Sequence, residues 1–190
     1  MTRRRDRRLC VIGLLLTAAA STVAGRHPLA DRRAFGLLNH HRREPAVLRL
    51  VQQAGTPWVL PVTAVVGLAS GRRRLACAAA IALPVEKVLE VSIKKARPTP
   101  RPLYVEPTIL RDDAPVEGES FPSGHAAIAF AAATLVAPHL PAPVRPLAFT
   151  AAAAAAVVRI SQGAHHPVDA VGGSALGLAA AAVLRSIVGQ

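Results

Sequence analysis

Aromatic side chains are scarce in this chain, at 3% of 190 residues. A protein that stacks or reads nucleobases interleaves aromatics with its basic patches, so no nucleic-acid partner is expected. Cysteine is nearly absent too. Cys10 and Cys77 both lie in apolar runs, and neither a disulfide framework nor a thiolate metal centre is implied. Acidic residues number 11 against 23 Lys and Arg, which leaves a formal net charge of +12. A disordered basic tail would be poor in apolar side chains, yet 52% of this chain is hydrophobic and only 18% charged. What remains is an apolar body with positive charge at its edges, of a length that allows one domain over 1–190. That is the pattern of a small polytopic membrane protein.

The apolar runs set the architecture. Met1 to Arg8 holds five arginines, followed by an uncharged stretch from Cys10 to Gly25. This layout is also that of a signal peptide, with Ala18-Ala19-Ala20-Ser21 as a cleavage region. Because more apolar segments follow, it reads as a retained first membrane helix behind a basic cytoplasmic tail at 1–9. The others are Thr56–Ser70, Leu75–Val91, Phe121–Pro138, Pro146–Val158 and Pro167–Val188. Each approaches the roughly 20 residues that cross a bilayer core, although several are short and Ala-rich. The expected fold is all-α: a polytopic membrane helix bundle of about six transmembrane helices, with both termini on one side.

Between the first two spans, 26–55 reads as an interfacial amphipathic segment. Asp31 is placed to cap a short helix presenting Ala34, Phe35 and Leu38. Pro45 suits a first helical turn, Val47, Leu48 and Val51 continue an apolar face, and Gly55 ends it. Basic loops do not orient the protein cleanly, since Arg72, Arg73, Arg74 and Arg145 on one side are matched by Arg26 to Arg49 on the other. The first span often dominates, which puts the N-terminus in the cytoplasm.

Ionisable groups near membrane depth are functional hypotheses by default. Here they form three clusters, and the span count brings all three to one side, in active-site loops at 94–120 and 159–166. In the first, Lys94 and Arg101 bracket a Pro-rich turn that aims their cations at a common point; the Arg fork matches phosphate oxygens. Glu90, one turn before Lys94, pairs with it, while Glu86 and Lys87 satisfy each other or a neighbouring helix. The second is Ser120-Phe121-Pro122-Ser123-Gly124-His125, opening an apolar helix. With Ser120 or Phe121 as cap and Pro122 first in the helix, the amides of Ser123 and Gly124 point outward as an anion site. His125 follows as a proton donor or acceptor. In the third, Arg159 precedes His165, and Asp169 lies one turn into a helix opened by Pro167. Asp169 can reach back to one nitrogen of His165, fixing the tautomer and leaving the other as a nucleophile. His166 lacks that spacing. A metal held by His165, His166 and Asp169 is the weaker reading, because adjacent histidines rarely chelate together and the nearby cations repel an ion.

Together these groups suit a phosphoryl transfer in which cations and amides hold the oxygens, one His attacks and the other protonates the leaving group. Lys94, six residues, Arg101-Pro102, then Pro122-Ser123-Gly124-His125, then Arg159, five residues, His165, three residues, Asp169 resemble the three signature motifs of the type 2 phosphatidic acid phosphatase superfamily. The resemblance covers Leu75 to the C-terminus, and Asp31 to Gly55 is similar in layout to bacterial members. It implies a membrane lipid phosphatase in the inner or plasma membrane, active site outward. His165 would be the nucleophile forming a phosphohistidine, with Asp169 its orienting partner and His125 the general acid. Lys94, Arg101, Ser123, Gly124 and Arg159 would bind phosphate, with no metal and no cofactor. The implied partners are the bilayer and a lipid phosphate: polyprenyl pyrophosphate, phosphatidate or phosphatidylglycerol phosphate. The family usually has Ser before the Arg of the third motif, where this chain has Val158. Two alternatives stand beside this reading. One is a soluble acid phosphatase or vanadate haloperoxidase-like enzyme, against which the apolar spans argue. The other is a non-catalytic binder of anionic lipid headgroups, against which the His125, His165 and Asp169 set argues.

Overall fold

Proline and glycine mark the ends of the last helix as the sequence suggests. Pro167 occupies its first position, and Gly189 terminates it in the left-handed region at φ +69°. The computed structural model describes residues 2–40, 46–111 and 114–189. Within them are eight α-helices and no strand: α1 (Thr2–Val23), α2 (Leu29–Leu38), α3 (Ala46–Val51), α4 (Val59–Ala69), α5 (Arg73–Ala96), α6 (Gly124–Val136), α7 (Arg145–Ser161) and α8 (Pro167–Val188). The all-α expectation is met. Every apolar segment read from the sequence carries one of these helices. By length and hydropathy, two stretches among the described residues suffice to cross a membrane on their own, Ala142–Ser161 and Pro167–Val188, fewer than the expected six or so. The helices α4 and α6 are short, with 11 and 13 residues, and α1 and α5 carry charge along part of their length.

Helix α8 is the centre of the bundle, with α1 and α6 packed along it and α5 and α7 beside them. Small residues permit that approach, as they do where helices meet without bulky side chains between them. A Cβ at Gly13 of α1 would lie 2.6 Å from the Ala175 carbonyl, and one at Gly177 only 2.1 Å from the Ala127 carbonyl of α6. The core is accordingly Ala-rich, with Leu60, Ile128, Leu135 and Leu184 as its larger buried members. Large apolar side chains instead face outward: Ile12 and Leu15 on α1, Val62 and Val65 on α4, Val88 on α5 and Ile187 on α8 are all exposed. So much outward apolar surface suits a lipid environment and not water.

Several local expectations are corrected. Residues 2–9 are not a tail but the first turns of α1, where Asp6 is buried and paired with Arg185 of α8 at 3.2 Å. The Ala18 to Ser21 stretch lies inside α1, with Ala20 packed on Phe121. Asp31 sits in the first turn of α2 but does not cap it; its Oδ1 accepts the Val168 N–H at 2.9 Å, at the start of α8. Lys87 pairs with Glu90 at 2.8 Å and not with Glu86. The expectation for Pro45, and those for Arg42 and Arg43, fall outside the described residues. Helix α3 buries none of its residues, as an interfacial segment would.

Three clusters do come to one end of the bundle, set by the C-terminal ends of α5 and α7 and the N-terminal ends of α6 and α8. The opposite end holds Arg5, Arg145 and Arg185 around one cavity, and Arg74 donates to the Gly189 carbonyl at 2.5 Å. Because backbone and not a flexible side chain opposes the added methyl, Gly177→Ala should force α6 from α8. We expect a loss of about 1–3 kcal/mol, read as a lower thermal midpoint in detergent. Gly36→Ala, where an added Cβ meets nothing within 4 Å, should leave that midpoint unchanged or slightly raised.

Candidate active site

The site is built around the first turn of α8. Asp169, fully buried, accepts the backbone N–H of His166 at 2.9 Å and the Ser120 hydroxyl at 2.6 Å through the same Oδ2. Its own carbonyl accepts the Ser123 N–H at 3.0 Å, which locks the start of α6 to the start of α8. His165 is also buried, and its Nδ1 lies 3.4 Å from Ser120 Oγ and 4.0 Å from Asp169 Oδ2. The direct His–Asp hydrogen bond expected from the four-residue spacing is therefore not made. At 4.0 Å the contact is beyond hydrogen-bond reach, and Ser120 bridges the pair. The carboxylate is spent on the helix start and the serine, and the serine hydroxyl, able to donate and accept at once, carries its influence to the imidazole.

The second cluster folds differently from its expectation at one residue. Ser123, not Ser120 or Phe121, is the cap, and Gly124 is the first residue of α6. The Ser123 amide is consequently taken by Asp169, and the Ala126 amide by the Ser123 side chain, so Gly124 opens α6 with His125 beside it. Gly124 leaves room for the Glu90 side chain, which would have to shift for any larger residue. A Cβ there would lie 2.6 Å from both Glu90 carboxylate oxygens. Glu90 in turn pairs with Lys94 at 2.7 Å as well as with Lys87, as a buried carboxylate must if it stays charged. Lys94 itself is in the last turn of α5, half a helix from the apolar core and beside the site.

Arg101 is fixed from three directions, by the carbonyls of Glu117 at 2.9 Å, Ala164 at 2.8 Å and Glu119 at 3.3 Å. Arg159 remains in the last turn of α7 and not in a loop. Its guanidinium donates to Gln162 Oε1 at 2.6 Å and to Gln52 Oε1 at 3.3 Å, and Gln162 also donates to Gln52 at 2.8 Å. Ser120, Gln52 and Gln162 are site residues that sequence reasoning missed in these roles. Gln52 belongs to the turn after α3, so this segment reaches Arg159, and Gly55 lies close against the His125 carbonyl. Val158, in place of the usual serine, is buried in α7 and adds no polar contact of its side chain.

The charges reveal the convergence most clearly. Burial, and then the positive fields of Arg101, Arg159, Lys94 and His125 in that order, hold the His165 imidazole well below its usual pKa. Residues from all three clusters thus act on one ring. That shift favours the neutral form of the ring, and the cations behind it favour an anion next to it. Burial lowers the Arg101 pKa too, offset in part by Asp169 and Glu90, but a guanidinium has ample margin to remain charged. His166 turns away from His165: its Nε2 lies 2.8 Å from Glu106 Oε1, and its ring stacks near His27. The two adjacent histidines do not share a site.

The family model described as the PAP2 superfamily matches residues 73–190. Among solved structures, LpxE from Aquifex aeolicus is similar at 25% identity and a TM-score of 0.71, over 81% of this chain and 93% of that one. A transmembrane PAP2 type phosphatidylglycerolphosphate phosphatase from Bacillus subtilis is similar in fold, at 23% identity and a TM-score of 0.66, over 96% of this chain and 94% of that one. No curated protein matches the chain. Gln52→Ala removes one oxygen that orients the Arg159 fork. It should raise the KM for a phosphate ester about tenfold with little change in the unfolding midpoint, the scale of one hydrogen bond to a charged group.

Proposed function

The chain belongs to the PAP2 superfamily and is a phosphatase, and from that membership we propose that it hydrolyses a membrane lipid phosphate through a phosphohistidine at His165. The observation that carries this reading is the buried His165 held beside Ser120 and Asp169, with Arg101 hydrogen-bonded to the adjacent Ala164 carbonyl at 2.8 Å. Its Nδ1 faces Ser120 and Asp169, which leaves Nε2 to attack phosphorus. Arg101, Arg159 and Lys94, with the Gly124 amide at the start of α6 and the Ser123 hydroxyl, hold the phosphoryl oxygens as charge builds. The bond from phosphorus to the lipid oxygen breaks as the bond to Nε2 forms, and His125 gives its proton to the leaving alcohol or phosphate. Water then attacks the phosphohistidine, His125 takes up its proton, and inorganic phosphate leaves. No metal enters these steps.

A lipid substrate is supported by the surface next to the site. An apolar groove of about 460 Å³ runs between α1, α2, α6, α7 and α8, past Leu16, Phe130, Val157, Ile160 and Pro167. Pro167 is two residues from His165, so a tail lying in this groove would bring its headgroup to the clamp. The outward apolar belt favours several crossings of the membrane, in which short α4 and α6 complete the bundle beside α7 and α8. Arginines at the end of the bundle opposite the site favour a cytoplasmic N-terminus and a site opening to the outer face. Phosphatidate, phosphatidylglycerol phosphate and polyprenyl pyrophosphate all present the phosphate this clamp would hold. The groove favours a lipid over a soluble ester, and the paired His165 and His125 favour turnover over headgroup binding alone.

His165→Ala should abolish phosphate release from a lipid phosphate in detergent while the thermal midpoint stays near that of the unaltered protein. Full activity in that variant would contradict the mechanism. Release by the unaltered protein should persist in chelator and be inhibited by vanadate, which occupies the phosphate position.

A further inference from the structure

Beside the active site, around His166, lies a cluster of metal-ligating atoms that the hydrolysis does not use. His27 from the α1–α2 connection, Asp31 from α2 and His166 from the catalytic loop offer ligand atoms all within 4.8 Å of one another. Both ring nitrogens of His27, Asp31 Oδ2 and His166 Nδ1 are buried with no hydrogen-bond partner. Such atoms are costly to leave unsatisfied, and here several from three chain segments point to one place. We propose that His27, Asp31 and His166 form a binding site for a divalent transition-metal ion of the zinc type, separate from the phosphate clamp.

Each ligand is already oriented. His166 has its Nε2 2.8 Å from Glu106 Oε1, so a proton on that nitrogen leaves a lone pair on Nδ1, which makes no hydrogen bond and lies 3.8 Å from Asp169 Oδ2. A carboxylate behind a ligating imidazole is the usual outer partner of such a ligand, and Glu106 is itself held by Arg32 at 3.5 Å. Asp31 has Oδ1 occupied by the Val168 N–H, which turns Oδ2 toward the cluster. His27 adopts φ +43°, a left-handed conformation unusual for a residue with a side chain, and this sets its ring 4.4 Å from that of His166. Two imidazoles and one carboxylate suit zinc and its neighbours, and their bonds of about 2.0–2.2 Å require only a small closure of the atoms seen here. Asp31 and Glu106 outweigh Arg32 in local charge, so a cation is favoured. Water would complete the coordination. A bound ion would staple the α1–α2 connection to the loop that carries His165.

The test uses the untagged full-length protein in detergent, stripped with chelator and dialysed against Zn2+ or Co2+. We expect one equivalent of Zn2+ per chain, a visible four-coordinate Co2+ spectrum and a higher thermal midpoint with Zn2+. His27→Gln and Asp31→Asn, which keep polar side chains in place, should each weaken binding at least tenfold and remove the Co2+ spectrum. Glu106→Gln should weaken it about tenfold or more by loosening the His166 ligand. No stoichiometric uptake by the unaltered protein, or equal uptake by His27→Gln, would overturn the proposal. These readouts require no turnover, so they are independent of whether the hydrolytic reading holds.

Discussion

One buried carboxylate organises this active site. Asp169 sits in the first turn of α8, where it accepts the His166 N–H and the Ser120 hydroxyl while its carbonyl accepts the Ser123 N–H. These contacts join the start of α8, the start of α6 and the loop between α5 and α6. A carboxylate removed from water needs such partners, and here meeting that need brings His165 and the start of α6, with His125, to one place. Acting through Ser120, Asp169 orients His165 without lying within hydrogen-bond reach of it.

The rest of the bundle serves that arrangement through small residues. Gly173 has no room for a side chain, since a Cβ would lie 2.2 Å from the Ser123 carbonyl, and Gly177 repeats the constraint one turn deeper. α6 can therefore lie directly on α8, bringing His125 and His165 to one end. The outward face is free to be apolar because the core between the helices is made largely of alanine. The interfacial segment closes the other side: Asn39 at the end of α2 donates to the carbonyls of Ile109 and Ser161, both at 2.8 Å, and Gln52 reaches Arg159.

Much of this was legible from spacing. Proline and glycine marked the ends of α8, apolar runs marked the helices, and the order of Lys94, Arg101, His125, Arg159, His165 and Asp169 predicted a common end. Contacts between residues far apart in the chain were not legible. Nothing periodic links Gln52 to Arg159 or Asp31 to Val168, because such pairs exist only after α2 and α3 fold against α7 and α8. Ser123 illustrates the limit: its sequence position suits a free helix-terminal amide, but the arrival of the Asp169 carbonyl from another helix uses that amide. Lys87 chose Glu90 over Glu86 because Glu90 and Lys94 share the site end of α5, whereas Glu86 turns into the bundle interior. The expectation of about six spans likewise counted apolar runs, while length and hydropathy together qualify two helical stretches among the described residues, because α1 and α5 are long enough but carry charge.

The gathering of His165, Ser120 and Asp169 with Arg101 at one end of the bundle is the centre of this account, and the proposed role of His165 as nucleophile rests on it. The most direct measurement is rapid acid-free quenching of the enzyme with a lipid substrate labelled in its terminal phosphate, followed by peptide mapping of the phosphoenzyme. The label should be acid-labile, stable in alkali and located on His165. Label on His125, Ser120 or Asp169 instead, or turnover with no phosphoenzyme at any quench time, would contradict the assignment of His165 as the nucleophile.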